Sequence, residues 1–232
     1  MILFDNVDIN SVARVKIEDI KISGIQFSLT ARQRAVAAGA DFVRNRAAGR
    51  TVTVTFAVLQ QDRNARQAAI SAINAWAKSD KEYKLQIVGH PGRYLMAVCT
   101  EKPSPSTRQW WEAKLKLVFS CISDPYWLDE NEKSVACGTA FTVLGDAPPV
   151  MRIERTLSGA ASNQAYSDNT NTMTFSTIPA GDMVIDLNKQ TAKVGTTSIM
   201  QYYNVNSKWI IPRTGAQTIT GTGTMKYRER YE

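Results

Sequence analysis

The sequence predicts a mainly β protein of two domains, with a single helix in the first. Three observations carry this. Val52, Val54, Phe56 and Val58 alternate with Thr51, Thr53, Thr55 and Ala57, the two-residue period of a strand with one buried face. Ala69, Ile73, Trp76 and Ala77 recur at i, i+4, i+7 and i+8, with Ile70 beside them, which makes one apolar stripe on a helix over 64–78. Finally, Leu115, Leu117, Phe119 and Cys121 alternate in a strand that stops at Asp124-Pro125. There the proline removes an N–H and bars helical geometry from its predecessor. Beyond Tyr126-Trp127 the chain reads as short strands throughout. The expected domains are 1–133 and 134–232.

From the amino terminus, Val15 and Ile17 alternate, as do Ile20 and Ile22, but Glu18-Asp19 shifts the phase. A bulge there returns both sets to one face. Ser23-Gly24 marks a bend, and Ile25, Phe27 and Leu29 alternate after it. Residues 31–50 are rich in alanine and arginine, too small in side-chain volume for a core element, and read as a projecting arm or long loop ordered against a neighbour. Asp62 is a helix N-cap candidate, and Trp76 is expected against the sheet. Leu85 and Ile87 open a strand that returns from Tyr94 to Cys99. Between them Pro91-Gly92 suits the centre of a type II turn. Residues 103–109 read as a loop, with Trp110 and Trp111 opening the strand that follows.

In the second half, Asp129-Glu130-Asn131-Glu132 reads as an acidic linker, and Pro148-Pro149 precedes the strands. Met151/Ile153, Met173/Phe175, Met183/Ile185/Leu187 and Ala192/Val194 alternate, with Asn188-Lys189 and Gly195 at turns. Tyr202-Tyr203, Trp209 to Ile211, Thr218 to Thr220 and Met225 to Tyr227 are expected as further strands of a sandwich.

Composition narrows the chemistry. The 232 residues carry a net charge of +7, and residues 31–50 hold Arg32, Arg34, Arg44, Arg46 and Arg50 against Asp41 alone. Such a segment suits a nucleic-acid contact or a subunit-interface arm. No aromatic platform for single strands accompanies it, which favours the interface. Cys99, Cys121 and Cys137 form no Cys-x-x-Cys pair and are odd in number, against a disulfide framework or structural zinc site. No apolar run approaches a membrane span, and the amino terminus shows no basic region leading into an apolar core, so no secretory signal is expected. No glycine-rich phosphate motif is present, and no cofactor is expected.

The sole histidine, His90, sits inside the Pro91-Gly92 turn, which explains it better than catalysis. Asp182 and Asp186, with Asp168, could be drawn as a glycosidase pair or calcium site, but turn carboxylates explain them better. Tyr202, Tyr203 and Trp209 could form a sugar-stacking platform, and are more often core and interface material.

Taken together, these segments resemble the distal tail protein (Dit) family of long, non-contractile-tailed bacteriophages. The resemblance rests on Gly-Arg-Thr-Val-Thr-Val-Thr-Phe at 49–56, the Trp76 helix, Tyr-Lys-Leu-Gln-Ile-Val-Gly-His-Pro-Gly-Arg-Tyr-Leu at 83–95 and the 115–127 strand with its Asp-Pro-Tyr-Trp end. In the second half it rests on Met-Val-Ile-Asp-Leu-Asn-Lys-Gln-Thr-Ala-Lys-Val-Gly at 183–195 and Ser-Lys-Trp-Ile-Ile-Pro-Arg-Thr-Gly at 207–215. It implies an amino-terminal β-sandwich with one helix and an extended arm, then a galectin-like β-sandwich. It implies a structural virion protein, not an enzyme, at the distal end of the phage tail, assembled in the host cytoplasm. The implied partners are five further copies in a hexameric ring, the tail tube protein, the tail-tip or hub protein, receptor-binding or baseplate proteins, and DNA in transit through the channel. A carbohydrate-binding module that meets the host surface through the second sandwich is the alternative. A cell-wall hydrolase is disfavoured for want of an acid/base or metal constellation.

Overall fold

A computed structural model describes residues 1–33, 40–60, 62–103 and 114–232; over 28–33 and 40–48 it describes the backbone. The chain divides into two compact units, 1–127 and 128–232.

The first unit opens with β1 (Ile2–Phe4), β2 (Val7–Asp8) and a single helical turn, α1 (Ile9–Val12). Strands β3 (Val15–Ile22), β4 (Gln26–Gln33) and β5 (Ala40–Val58) follow. Then come α2 (Arg63–Trp76), β6 (Tyr83–Ile87), β7 (Arg93–Glu101) and β8 (Leu115–Cys121). One sheet runs β2-β1-β6-β7 and another β3-β5-β8-β7, all neighbours antiparallel. Strand β7 therefore belongs to both. Leu95 and Ala97 face partners on β6, and from Val98 onward the strand pairs with β8. The predicted phase shift at Glu18-Asp19 is a register shift between Ile17 and Asp19. It leaves Val15, Ile17, Ile20 and Ile22 opposite Val58, Phe56, Val54 and Val52.

Between the sheets lies an aromatic cluster. The fully buried Phe4 ring sits 5.0 Å from Phe119, 5.5 Å from Tyr83 and 5.7 Å from Trp76, centroid to centroid. Helix α2 begins at Asp62, whose carboxylate accepts from the Ala65 N–H at 2.8 Å. It buries Arg66, Ile70, Ile73 and Trp76, so the stripe is centred one position later than Ala69 suggested. Trp76 meets Phe119 edge-on at 6.3 Å, and its indole N–H donates to the Val7 carbonyl at 3.1 Å. The segments around Trp110 and Trp111 lie outside the described residues.

β9 (Trp127–Asp129) spans the point where the first unit gives way to the second. The latter holds β10 (Lys133–Ala136), β11 (Ala140–Val143), β12 (Ala147–Leu157), β13 (Ala161–Ser167) and β14 (Thr172–Ile178). Strands β15 (Gly181–Asp186), β16 (Thr191–Val194), β17 (Thr197–Ser198), β18 (Gly215–Thr218) and β19 (Thr224–Tyr231) complete it. One layer runs β17-β16-β15-β12-β19-β10. Facing it are the pairs β11-β18 and β13-β14. Met151, Ile153, Met183, Ile185 and Met225 from the first layer meet Tyr166, Met173 and Phe175 from the second, all at most 1 % exposed. This is a sandwich with a methionine-rich core, whose unbranched side chains fill irregular gaps.

Three local expectations are corrected. Strands follow Pro148-Pro149 as expected, but β10 and β11 already precede it, and both prolines lie inside β12, beside a bulge between Ala147 and Val150 that spares the missing N–H. The acidic run is no free linker. The Glu132 carboxylate accepts from both terminal nitrogens of Arg152, at 2.7 and 2.8 Å, and the Arg228 guanidinium reaches the carbonyls of Asp129 and Glu130. Tyr202-Tyr203 and Trp209 to Ile211 are not strands. Met200–Tyr202 is a turn of 3-10 helix, after which the Tyr203 hydroxyl donates to the Ser207 carbonyl and closes a loop. Only Ile210 of the later segment is fully buried, and Pro212 ends it.

Candidate assembly surface

The described part of residues 31–50 becomes legible in the pairing of β4 with β5. Val52 to Phe56 of β5 are laddered on both sides, to β3 and to β8. Strand β8 ends at Cys121, opposite Arg50. Past that point β5 keeps one partner among the described residues. β4 runs alongside it from Gln26 opposite Gly49 to Gln33 opposite Ala40. The expected arm is thus a two-stranded ribbon. Eight residues of β4 at the usual rise give it a length of about 26 Å beyond the sheet. Bulges between Gln26 and Phe27, and between Thr30 and Ala31, twist it.

The ribbon leaves the sheet at Gly49. A Cβ there would lie 3.0 Å from the Cys121 carbonyl oxygen, so the close approach of β5 to β8 needs a residue without a side chain. Phe27, at the root of β4, is 56 % exposed. A two-stranded ribbon is marginal in water on its own, and among the described residues each ribbon strand beyond Arg50 has the other as its one partner strand.

The five arginines are placed differently from one another. Arg44 and Arg46 stand opposite Thr30 and Ser28 in the ribbon, and Arg32 stands opposite Asp41. Arg34 lies outside the described residues. Arg50 is inside the first unit, only 6 % exposed, at the level of Cys121. The Cys121 thiol is pushed up to about 12 by burial, the nearby Arg50 charge notwithstanding. Burial likewise raises Cys99 and Cys137, so all three cysteines are held as neutral thiols.

The remaining candidates have structural partners. His90 stacks on Trp127, and its imidazole is held below its usual range by burial first, then by Arg93 and Arg50. Gly92 has φ of 72°, as a type II turn requires, and the Arg93 N–H donates to the His90 carbonyl. Asp186 accepts from the N–H groups of Asn188 and Lys189, and Asp182 from the Thr156 hydroxyl. Asp168 caps its own turn at Thr170 and Asn171 and pairs with Arg213 at 3.2 Å. Among the described residues no group of three or more His, Cys, Asp or Glu side chains could hold a metal ion. Nor is any helix there long and apolar enough to cross a membrane.

Tyr203 and Trp209 pack on the second core. Their rings lie 5.3 Å apart, Tyr203 meets Phe175 at 5.7 Å, and the Trp209 indole N–H donates to the Leu187 carbonyl at 3.1 Å. Tyr202 lies beside them, half-buried on the rim of a shallow pocket. Sequence reasoning missed the buried Glu229, which accepts from Lys133 Nζ at 2.8 Å, the Leu144 N–H at 2.9 Å and the Tyr231 hydroxyl at 2.7 Å. The alternation Met225, Tyr227, Glu229 was the available signal.

No protein-family model and no curated protein sequence matches the chain. Solved structures do. The crystal structure of the SPP1 Dit (gp 19.1) protein, a paradigm of the hub adsorption apparatus in phages infecting Gram-positive hosts, matches with a TM-score of 0.74 and 16% identity. The match covers 100% of this chain and 98% of that one. Two structures of the phage P2 baseplate in its activated conformation match more distantly. The one with Ca has a TM-score of 0.47 at 9% identity, covering 100% of this chain and 97% of that one. The one with Sr has 0.46 at 10%, covering 98% and 96%. The chain has the fold of SPP1 Dit over its whole length, in both units.

Proposed function

We propose that this chain is a Dit-type hub protein of a phage tail. It builds a ring, six copies round on the family pattern, at the distal end of the tail tube, and joins the tube to tail-tip, baseplate or receptor-binding proteins. The observation that carries the reading is the fold shared with SPP1 Dit from end to end. The ribbon supports the ring. A closed ring uses one heterologous contact repeated by rotation, and the β4-β5 ribbon is a projecting element whose outer edges are suited to pairing with a neighbouring copy.

The channel would pass DNA. A few ribbon arginines would steer a polyanion without gripping it, and their effect would fade as salt rises. Arg44 and Arg46 are the pair to replace with glutamine, because Arg50 is buried in its own unit. Light scattering of the purified chain, followed by negative-stain imaging, tests the assembly. Annular particles of multiple mass are expected. Deleting 33–48 should leave a folded single chain. Rings formed by the deletion variant, or solitary particles from the full chain at high concentration, would refute the ribbon's role.

A further inference from the structure

The second unit carries a pocket of about 410 Å³ that the assembly reading does not use. Its walls come from β13, β14 and the 3-10 turn. Three features set it apart. The first is charge: amides and hydroxyls, including Asn163, Ser176, Gln201 and Asn204, line it together with aromatic rings, and no lysine, arginine, aspartate or glutamate does. The second is Tyr202. Its neighbours Tyr203 and Trp209 spend both ring and polar atom inside the fold. Tyr202 also packs against the core in part, but it stays half-exposed on the pocket's rim, and among the described residues its hydroxyl makes no hydrogen bond. The third is Asn163, in the middle of β13 with φ of 51° while Ser162 and Gln164 on either side keep regular pairing with Thr177 and Phe175. A non-glycine residue held in the left-handed region inside a strand is a local strain of the kind that marks ligand-contacting positions.

We infer that this pocket binds a neutral pyranose, with an apolar C–H face of the sugar laid on the Tyr202 ring and its hydroxyls shared among the side-chain amides of Asn163 and Gln201. The chemistry follows from what lines the site. Side-chain amides both donate and accept, as sugar hydroxyls do. A phosphate or carboxylate ligand would find no cation, and a purely apolar one would strand the amides. The volume falls within the range of small-ligand sites. The inference does not depend on the hub assignment, since it rests on the second unit's own side chains.

Saturation-transfer NMR on the full chain tests it, with glucose, galactose and N-acetylglucosamine as neutral probes and N-acetylneuraminic acid as the charged one. Transfer is expected to the ring C–H protons of at least one neutral sugar, and not to the acid. Tyr202→Ala should weaken it about fivefold, the worth of one aromatic contact. Asn163→Gly should weaken it too, while relieving the backbone and leaving the melting temperature unchanged or higher. Dextran run beside the monosaccharides separates a site for residues within a surface polysaccharide from one for free sugar, and transfer to either supports the pyranose. No transfer to any neutral probe, transfer to the charged sugar in preference, or transfer unchanged in both variants would overturn the assignment.

Discussion

The imidazole of His90 lies flat on the indole of Trp127, with ring centroids 4.1 Å apart and planes 22° from parallel. Trp127 is 2 % exposed, so the stack fastens the Pro91-Gly92 turn to the end of the first unit. Burial, Arg93 and Arg50 all disfavour the imidazolium, in that order. The folded chain therefore binds this proton less readily than the unfolded chain. Stability should fall as pH drops below about 6.5, the usual imidazole value, and level off below the lowered folded one. Thermal melts from pH 7.5 to 5 check this. The stability gap between wild type and His90→Gln should narrow toward low pH; a gap that widens would contradict it.

Gly49 marks where the ribbon departs. Gly49→Val drives a branched side chain against the Cys121 carbonyl, 3.0 Å from the new Cβ. The expected loss is about 1–3 kcal/mol, as for overpacking elsewhere. Denaturant titration measures it, and on the proposed ring assembly size-exclusion chromatography of the same variant should show fewer assembled particles.

Glu229 is 1 % exposed and accepts three hydrogen bonds. Burial alone would raise its carboxyl. Lys133, the Leu144 N–H and Tyr231 outweigh that and hold it below the usual range. Its contribution is complete above the unfolded carboxylate value and is lost as pH falls through the lowered one. Glu229→Gln should cost about 1.5–3 kcal/mol near neutral pH, the worth of hydrogen bonds to a charged group. The variant's deficit should shrink in strong acid, and parallel denaturant curves at pH 7 and 3 would show it.

Trp76 locks α2 between Phe4 and Phe119 and reaches Val7 through its indole nitrogen. Trp76→Ala should destabilise the first unit by about 3–5 kcal/mol. Trp76→Phe should recover part of that, because the ring contacts return while the Val7 carbonyl loses its donor. Calorimetry on both variants gives the comparison.

Much of this architecture could be read from residue order wherever the pattern was local and strict. The phase slip at Glu18-Asp19 announced its bulge, Asp62 its helix, and Pro91-Gly92 its turn. What escaped depends on distant partners. The turn α1 is too short to show a period, and Asp8 caps it through the Asn10 N–H. Arg66 reads as a solvent-facing helix residue yet is 6 % exposed. Tyr203 and Trp209 lie on the core without belonging to a strand: the Tyr203 N–H donates to the Met200 carbonyl, and its hydroxyl closes a loop onto Ser207. The ribbon showed as a composition and not as a fold. Small residues and arginines say that a segment lacks a core, and its strand pairing lies in the β4–β5 register, which no local pattern of side chains announces.

Strand β7 has a mechanical role in the first unit. Its early residues complete one hydrogen-bonded layer and its later ones the other, so the strand is the covalent link between the two. Strand β5 of the ribbon ladders to β8, and β8 to this common strand, so the ribbon is two pairings away from the strand both layers share. A load applied to the ribbon would thus be spread over both layers instead of falling on one edge strand.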